Sequence, residues 1–291
     1  MKIGVSLLGL RGTRNADTAA AAEALGYESV WLSDHLVLPG HAATGAAHGS
    51  VPPSLPILDV GGLMTHIACR TTSIRVGTWV YVLPLRHPLV SARVFQTADI
   101  LSDGRVEIGV GVGYVPEEFA AAGVDFRRRG AVMDEALLAL KSLLRDERPE
   151  FHGEFYRFGP VSFEPKPAQR PWPPLHVGGY AHSALRRAVR EGDGWIGGEY
   201  TPKTLAPVLE TLRRLEDEER VGPPLQVTVG AGNVIRAASF DELPLADPTM
   251  VAEFEALGVD RVIVRPWIRS RDAIEGLRRF ADECGLSAAK G

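Results

Sequence analysis

Apolar residues recur along this chain in two alternating rhythms. Short β-branched runs with a period of two give way, repeatedly, to longer stretches with the three-to-four spacing of an amphipathic helix. The clearest instance spans residues 72–114. Thr72–Leu83 reads as a strand, a turn bounded by Pro84 and Pro88 follows, and Leu89–Leu101 is helical before Arg105–Gly113 resumes the strand rhythm. Two strands joined by a helix of that length pair in parallel through a right-handed crossover, so their carboxyl ends open on the same side.

The alternation continues through the chain. Ile3–Leu8, Ser29–Ser33, Leu175–Gly179, Asp193–Gly197, Leu225–Ile235 and Arg261–Arg265 read as strands. Asn15–Leu25, Asp59–Arg70, Arg127–Arg145, Ser183–Glu191, Pro202–Arg220, Pro248–Leu257 and Arg271–Cys284 read as helices. Eight strand–helix pairs in strict order predict an α/β fold, a (β/α)8 TIM barrel forming one domain over residues 1–291. An open doubly wound sheet is the alternative, but it leaves the last strands without an obvious edge. Two insertions interrupt the pattern. Residues 36–56, after the second strand, form a long aperiodic loop, and the fourth helix is followed by a small hairpin of Phe151–Phe158 with Val161–Phe163 and a proline-rich extended segment, Pro165–Pro174.

Within the fourth strand, Val106, Ile108, Val110 and Val112 alternate with Glu107, Gly109, Gly111 and Gly113. A row of glycines on one face means that something approaches the backbone closely, either a flat ring system or bulky neighbours inside a tight barrel. The spacing is not that of a dinucleotide fingerprint. In a barrel the chemistry collects at the carboxyl ends of the strands, which directs attention to Asp34-His35, Trp79–Val82, Gly113-Tyr114, Gly178–Tyr180 and Gly197–Glu199.

Composition narrows the function. The chain has 291 residues, 45% hydrophobic and 23% charged, with a net charge of −4, which offers no footprint for nucleic acid or an anionic membrane. Nothing approaches a membrane span, the start of the chain lacks a secretory pattern, and the two cysteines, Cys69 and Cys284, lie far apart, so a cytoplasmic protein with reduced thiols is expected. The eight histidines show no metal-ligand spacing, and no metal site is expected. There is no nucleophile elbow and no Walker loop.

Two constellations remain. Asp34-His35 ends a strand beside the long loop, where His35 could exchange protons or hydrogen-bond a ring and Asp34 could fix its tautomer or bind ligand. Gly178-Gly-Tyr-Ala-His-Ser183 joins a strand to a helix and is either a phosphate seat or an ordinary Ser183 N-cap. Val115–Val124 reads as a short connection, in which Glu117-Glu118 lie near the mouth, as ligand contacts or as caps of the following turn.

At these residues the chain resembles the luciferase-like monooxygenase superfamily and, within it, the oxidoreductases dependent on the deazaflavin coenzyme F420. The matching pieces include Gly26-Tyr-Glu-Ser-Val-Trp-Leu-Ser-Asp-His35, Leu83-Pro-Leu-Arg-His-Pro88, Leu101–Gly113, Glu117-Glu-Phe, Phe151-His-Gly-Glu-Phe-Tyr156 and Gly192-Asp-Gly-Trp195. The resemblance implies a bacterial-luciferase-like barrel holding F420, or alternatively FMN, at the strand carboxyl ends. Asp34 and His35 would lie beside the ring, with His35 catalytic. A non-proline cis peptide would fall at Trp79-Val80, and Thr78, Trp79, Val80, Val112, Gly113 and Glu117 would line the cofactor. Gly178, Gly179, His182 and Ser183 would hold its phosphate. Sugar-phosphate dehydrogenases of the family carry a catalytic Glu where this chain has Tyr114 and a Trp where it has Pro39, so Tyr114 is expected to face substrate or cofactor and a glucose-6-phosphate activity is not expected. The implied activity is hydride transfer between F420 and a small organic substrate, in a homodimer. A two-component FMN monooxygenase and a non-catalytic flavin-binding barrel are the alternatives.

Overall fold

The computed structural model describes residues 1–41, 43–45, 49–51, 53–232 and 247–287. In chain order the elements are β1 (Lys2–Ser6), α1 (Arg14–Ala24), β2 (Ser29–Leu32), β3 (Ala43–Gly45), β4 (Gly49–Val51), α2 (Val60–Ala68), β5 (Arg75–Thr78), β6 (Tyr81–Val82), α3 (Pro88–Leu101) and β7 (Val106–Gly111). They continue with α4 (Pro116–Ala121), α5 (Arg129–Arg145), β8 (Phe151–His152), β9 (Arg157–Phe158), β10 (Leu175–Gly178), α6 (His182–Glu191) and β11 (Gly194–Tyr200). The last are α7 (Pro202–Glu219), β12 (Gln226–Ala231), α8 (Pro248–Ala256), β13 (Arg261–Val264) and α9 (Ala273–Cys284).

Eight parallel strands form a closed ring in the order β1, β2, β5, β7, β10, β11, β12, β13, and β13 returns to β1. The pairing of β7 with β10 completes it, with Leu175 opposite Ile108, which rules out the open sheet. The fold is therefore the (β/α)8 barrel that the alternation predicts. The outward faces of the strands, such as Val30, Val76, Ile108 and Val110, bury against Phe95 of α3 and Leu137 and Leu140 of α5.

Inside the ring, side chains stack in layers from the amino to the carboxyl ends of the strands. Glu107, His176 and Arg261 are fully buried at the lower end. Trp31 fills the middle, and a Cβ on Gly4 or Gly77 would fall 2.6 or 2.5 Å from its ring, so only glycine fits either side. Ile196, Ile263, Trp79 and Val80 complete the stack. The Trp79–Val80 peptide is cis, at the position the family resemblance implies, and β6 resumes pairing beyond it, with Tyr81 opposite Val110.

This bulge answers the question raised by the glycine row. A Cβ on Gly109 would lie 2.0 Å from the Thr78 carbonyl oxygen, and one on Gly111 would lie 2.6 Å from Val80. Gly113, with φ of +76°, backs onto the Phe119 ring in the same way. Neighbouring protein, not a bound ring, occupies the space.

Other departures are local. The stretch 115–124, to which the sequence reading assigns no strand or helix, contains α4, which starts with Pro116 in its first turn. Within 36–56, β3 and β4 pair as an antiparallel hairpin. The hairpin expected between Phe151–Phe158 and Val161–Phe163 instead closes within the first run, as β8 paired with β9, and the proline-rich segment that follows has cis peptides before Pro165 and Pro171. Helix α6 begins at His182 with Ala181 as its cap residue and no side-chain cap, so Ser183 lies inside the first turn and does not act as the N-cap. Residues 233–235 of the expected seventh strand lie outside the described residues.

Candidate active site

The site is assembled from loops at the carboxyl ends of β2, β6, β7 and β10. Asp34, two residues past β2, is buried. Its two carboxylate oxygens accept a bidentate pair from Arg86, at 2.7 and 2.8 Å, and one also accepts the Val82 backbone N–H at 2.9 Å. Arg86 in turn lies 4.4 Å from the centre of the Tyr81 ring. Asp34 therefore fastens the end of β2 to the end of β6 and fixes the chain that carries the next residue.

That residue is His35. Its Nδ1 lies 3.0 Å from Oε2 of Glu118, while Oε1 of the same carboxylate accepts the Leu36 N–H at 2.6 Å. Glu118 is wholly buried. A carboxylate can only accept, so the network assigns the proton of the neutral imidazole to Nδ1 and leaves the lone pair on Nε2. Among the described residues Nε2 has no hydrogen-bond partner. Tyr114 packs edge-on against the His35 ring, with centroids 5.8 Å apart. Burial, reinforced by the charge of Glu118, pushes the Tyr114 phenol up to about 12, so it stays a neutral hydroxyl.

Helix phase decides which glutamate takes part. Val115, Glu118 and Phe119 share one face of α4 by their three-to-four spacing, and Phe119 anchors that face against Phe126, 5.3 Å away. Glu118 is therefore turned in towards His35. Glu117, one residue earlier, is turned out and lies 3.4 Å from exposed His41. Glu118, not Glu117, is the acid that reaches His35, a distinction the sequence reading did not draw although the i, i+3, i+4 pattern contained the signal.

The other candidates sort by depth. The Thr78 hydroxyl is spent within the sheet, donating to the Gly109 carbonyl at 2.6 Å and accepting the Gly109 N–H at 2.9 Å. Trp79 and Val80 are half-buried and cap the barrel stack, and Trp79 Nε1 donates to the Gly197 carbonyl at 2.7 Å. The Val80 side chain spans from Gly111 to Gly178, where a Cβ would meet it at 3.0 Å. Val112 and Gly113 are half-buried at the end of β7.

Beyond Gly178, Gly179 adopts φ of +122°, and the first turn of α6 is exposed. Ala184 and Leu185 return their N–H groups to the Ala181 carbonyl, which leaves those of His182 and Ser183 without a backbone acceptor. The arrangement suits a flat, phosphate-bearing ring system: an apolar Trp79–Val80 floor, an imidazole with one nitrogen open, and an uncapped helix start for an anion.

A family model for luciferase-like monooxygenases matches residues 4–243. An uncharacterized protein of Mycobacterium tuberculosis is 33% identical over 216 residues, covering 72% of this chain and 74% of that protein. An F420-dependent glucose-6-phosphate dehydrogenase of Kineococcus radiotolerans is 34% identical over 238 residues, covering 79% of this chain and 64% of the dehydrogenase. The crystal structure of monooxygenase RslO1 from Streptomyces bottropensis shares the fold, with a TM-score of 0.79 over 97% of this chain and 98% of that one, at 21% identity. A match running from the first strand to beyond the seventh leaves one placement: the chain belongs to the luciferase-like monooxygenase family.

Proposed function

We propose that this protein binds coenzyme F420 and transfers a hydride between the deazaflavin and a small organic substrate. The observation that carries the reading is the His35–Glu118 pair, which keeps one imidazole nitrogen open at the barrel mouth. The cofactor assignment draws its support from the F420-dependent dehydrogenase relative. When bound, the deazaflavin would supply a two-electron hydride donor or acceptor.

The chain's own residues supply orientation and the proton. Trp79, Val80, Val112 and Gly113 would floor and flank the ring, with Thr78 and Asp34 holding the strand ends in place beneath and beside it. Gly178, Gly179, His182 and Ser183 would seat the phosphate, and Glu117 would meet the ligand only at the outer rim. A substrate carbinol that loses a hydride must also lose its hydroxyl proton, and His35 Nε2 takes it while Glu118 balances the imidazolium charge. In the reductive direction the same nitrogen returns the proton. Tyr114, a neutral donor beside His35, would orient the substrate oxygen.

The test is a pair of titrations of cofactor-stripped protein, with F420 and separately with FMN, followed by ligand fluorescence. Saturable binding of F420 well below the FMN constant is the expected result, with His35→Ala retaining that binding and losing on the order of 10²–10⁴-fold in turnover. Preference for FMN would move the protein to the two-component monooxygenases. F420 binding without turnover by the unaltered protein on any acceptor would make it a carrier.

A further inference from the structure

The loop between β1 and α1 and the loop between β13 and α9 meet at the barrel mouth, where Ser270 Oγ donates to the Gly9 carbonyl at 3.4 Å. Between them lies an open cleft of about 370 Å³ lined by Arg11, Arg14, Arg269, Ser270 and Arg271. The four arginines are exposed. Arg271 has a carboxylate neighbour, Asp272 at 3.6 Å, whereas no carboxylate of the described residues comes within salt-bridge distance of Arg11, Arg14 or Arg269. The chain carries an excess of acidic over basic residues, and elsewhere it couples surface arginines to carboxylates, as Arg186 and Arg190 share Glu219. Here it gathers four cations, three of them without a counter-charge among the described residues.

The backbone adds to the same field. Helices α1 and α9, of 11 and 12 residues, both begin at this cleft, and neither has a side-chain cap. Their positive ends and the planar, multiply donating guanidinium groups favour the same ligand charge. We propose that this cleft is a binding site for a small polyanion, a phosphorylated or multiply carboxylated molecule carrying at least two negative charges. One charge would leave most of the guanidinium groups unsatisfied, and the volume accommodates a ligand of metabolite size. The site is distinct from the first turn of α6, because β13 and β1 stand three and four strands round the ring from β10. It opens on the same face as His35 and next to β2, so its ligand is either an anionic portion of a coenzyme bound at the mouth or a separate anion, such as the substrate.

Calorimetric titration with inorganic pyrophosphate tests the site without the proposed coenzyme, so it stands or falls apart from the F420 reading. The full-length protein should bind pyrophosphate saturably, with affinity falling as salt rises. Arg11→Gln, Arg14→Gln and Arg269→Gln should each weaken binding roughly tenfold, and more in combination. Arg214→Gln, on the remote face of α7, should leave it unchanged. These arginines are exposed, so circular dichroism of the variants should match the parent. Competition by saturating F420 would assign the cleft to the coenzyme, and undiminished pyrophosphate binding in its presence would assign it to a separate anion. Absence of saturable binding at millimolar pyrophosphate, or equal affinity in the combined variant, would overturn the proposal.

Discussion

The two ends of the barrel each hold a buried glutamate facing a histidine, and the two pairs are wired differently. At the amino end Glu107 accepts from Arg75, from Arg261 at 3.1 Å and from His176 Nε2 at 2.5 Å. Arg261 also donates to Glu28, at 2.6 and 2.8 Å, and through Nη1 to Gln226 and Thr228, both at 3.4 Å, and lies 5.2 Å over the Trp31 ring. Burial alone would raise the Glu107 carboxyl, but the His176 hydrogen bond and the surrounding positive charges hold it well below the usual carboxylate range. At the carboxyl end Glu118 has one ionic partner among the described residues, His35, whose other nitrogen has none. Each histidine has one ring nitrogen without a partner among the described residues, but that of His176 is buried against Gly194, so the amino-end network is closed to ligands and holds the barrel together, whereas His35 at the mouth can exchange a proton with one.

The largest effect should come from opening the closed network. Glu107→Ala leaves buried His176 without its hydrogen-bond partner and buried Arg261 dependent on Glu28 alone, and should cost about 3–5 kcal/mol in urea denaturation. The pH dependence follows from the lowered carboxyl. Its contribution is complete above the unfolded value of about 4.3 and is lost as pH falls through the lower folded value, so the gap between parent and variant should be full near neutrality and narrow in acid. A loss under about 1 kcal/mol would mean that the amino-end cluster does not hold the barrel together, and the contrast between the two ends would fail.

The next effect concerns the open chain. In Glu118→Gln the amide oxygen must still accept the Leu36 N–H, so the amide NH₂ faces His35 Nδ1 and drives the imidazole proton to Nε2. Turnover should fall on the order of 10²-fold while cofactor binding is retained. Nitrogen chemical shifts of the imidazole would report the tautomer directly. Unchanged shifts alongside lost activity would show that Glu118 acts by packing and not by orienting the proton.

The same contrast explains what could be read from sequence. The ring of eight strands was legible because period-two and helical stretches alternate without exception, and chain order then dictates closure. The glycine row was legible as a close approach but not as an approach by Thr78 and Val80, since that contact depends on a bulge two strands' worth of pairing can hide. Asp34 and His35 stood out by their position at a strand end. Glu118 did not, because Glu117 and Glu118 are adjacent and identical in chemistry. Only the phase of α4, set by burial of Val115 and Phe119, separates the buried acid from the exposed one. Ser183 was ambiguous for a related reason: a serine near a helix start reads as a cap or as a first-turn residue until the first helical residue is known.

The smallest effect should come from Tyr114, which touches the open chain without belonging to it. Tyr114→Phe keeps the ring that packs edge-on against His35 and removes only the hydroxyl. If that hydroxyl orients substrate, its loss should cost about one hydrogen bond, roughly 0.5–1.5 kcal/mol, seen as a several-fold rise in KM with kcat little altered. The shape of the pH–rate profile should not change, because a phenol held near 12 by burial makes no titration step where His35 works. A displaced acid or base limb in the variant would show instead that Tyr114 sets the charge of His35. It would then belong to the proton relay, and the open end of the barrel would have two working members beyond Glu118.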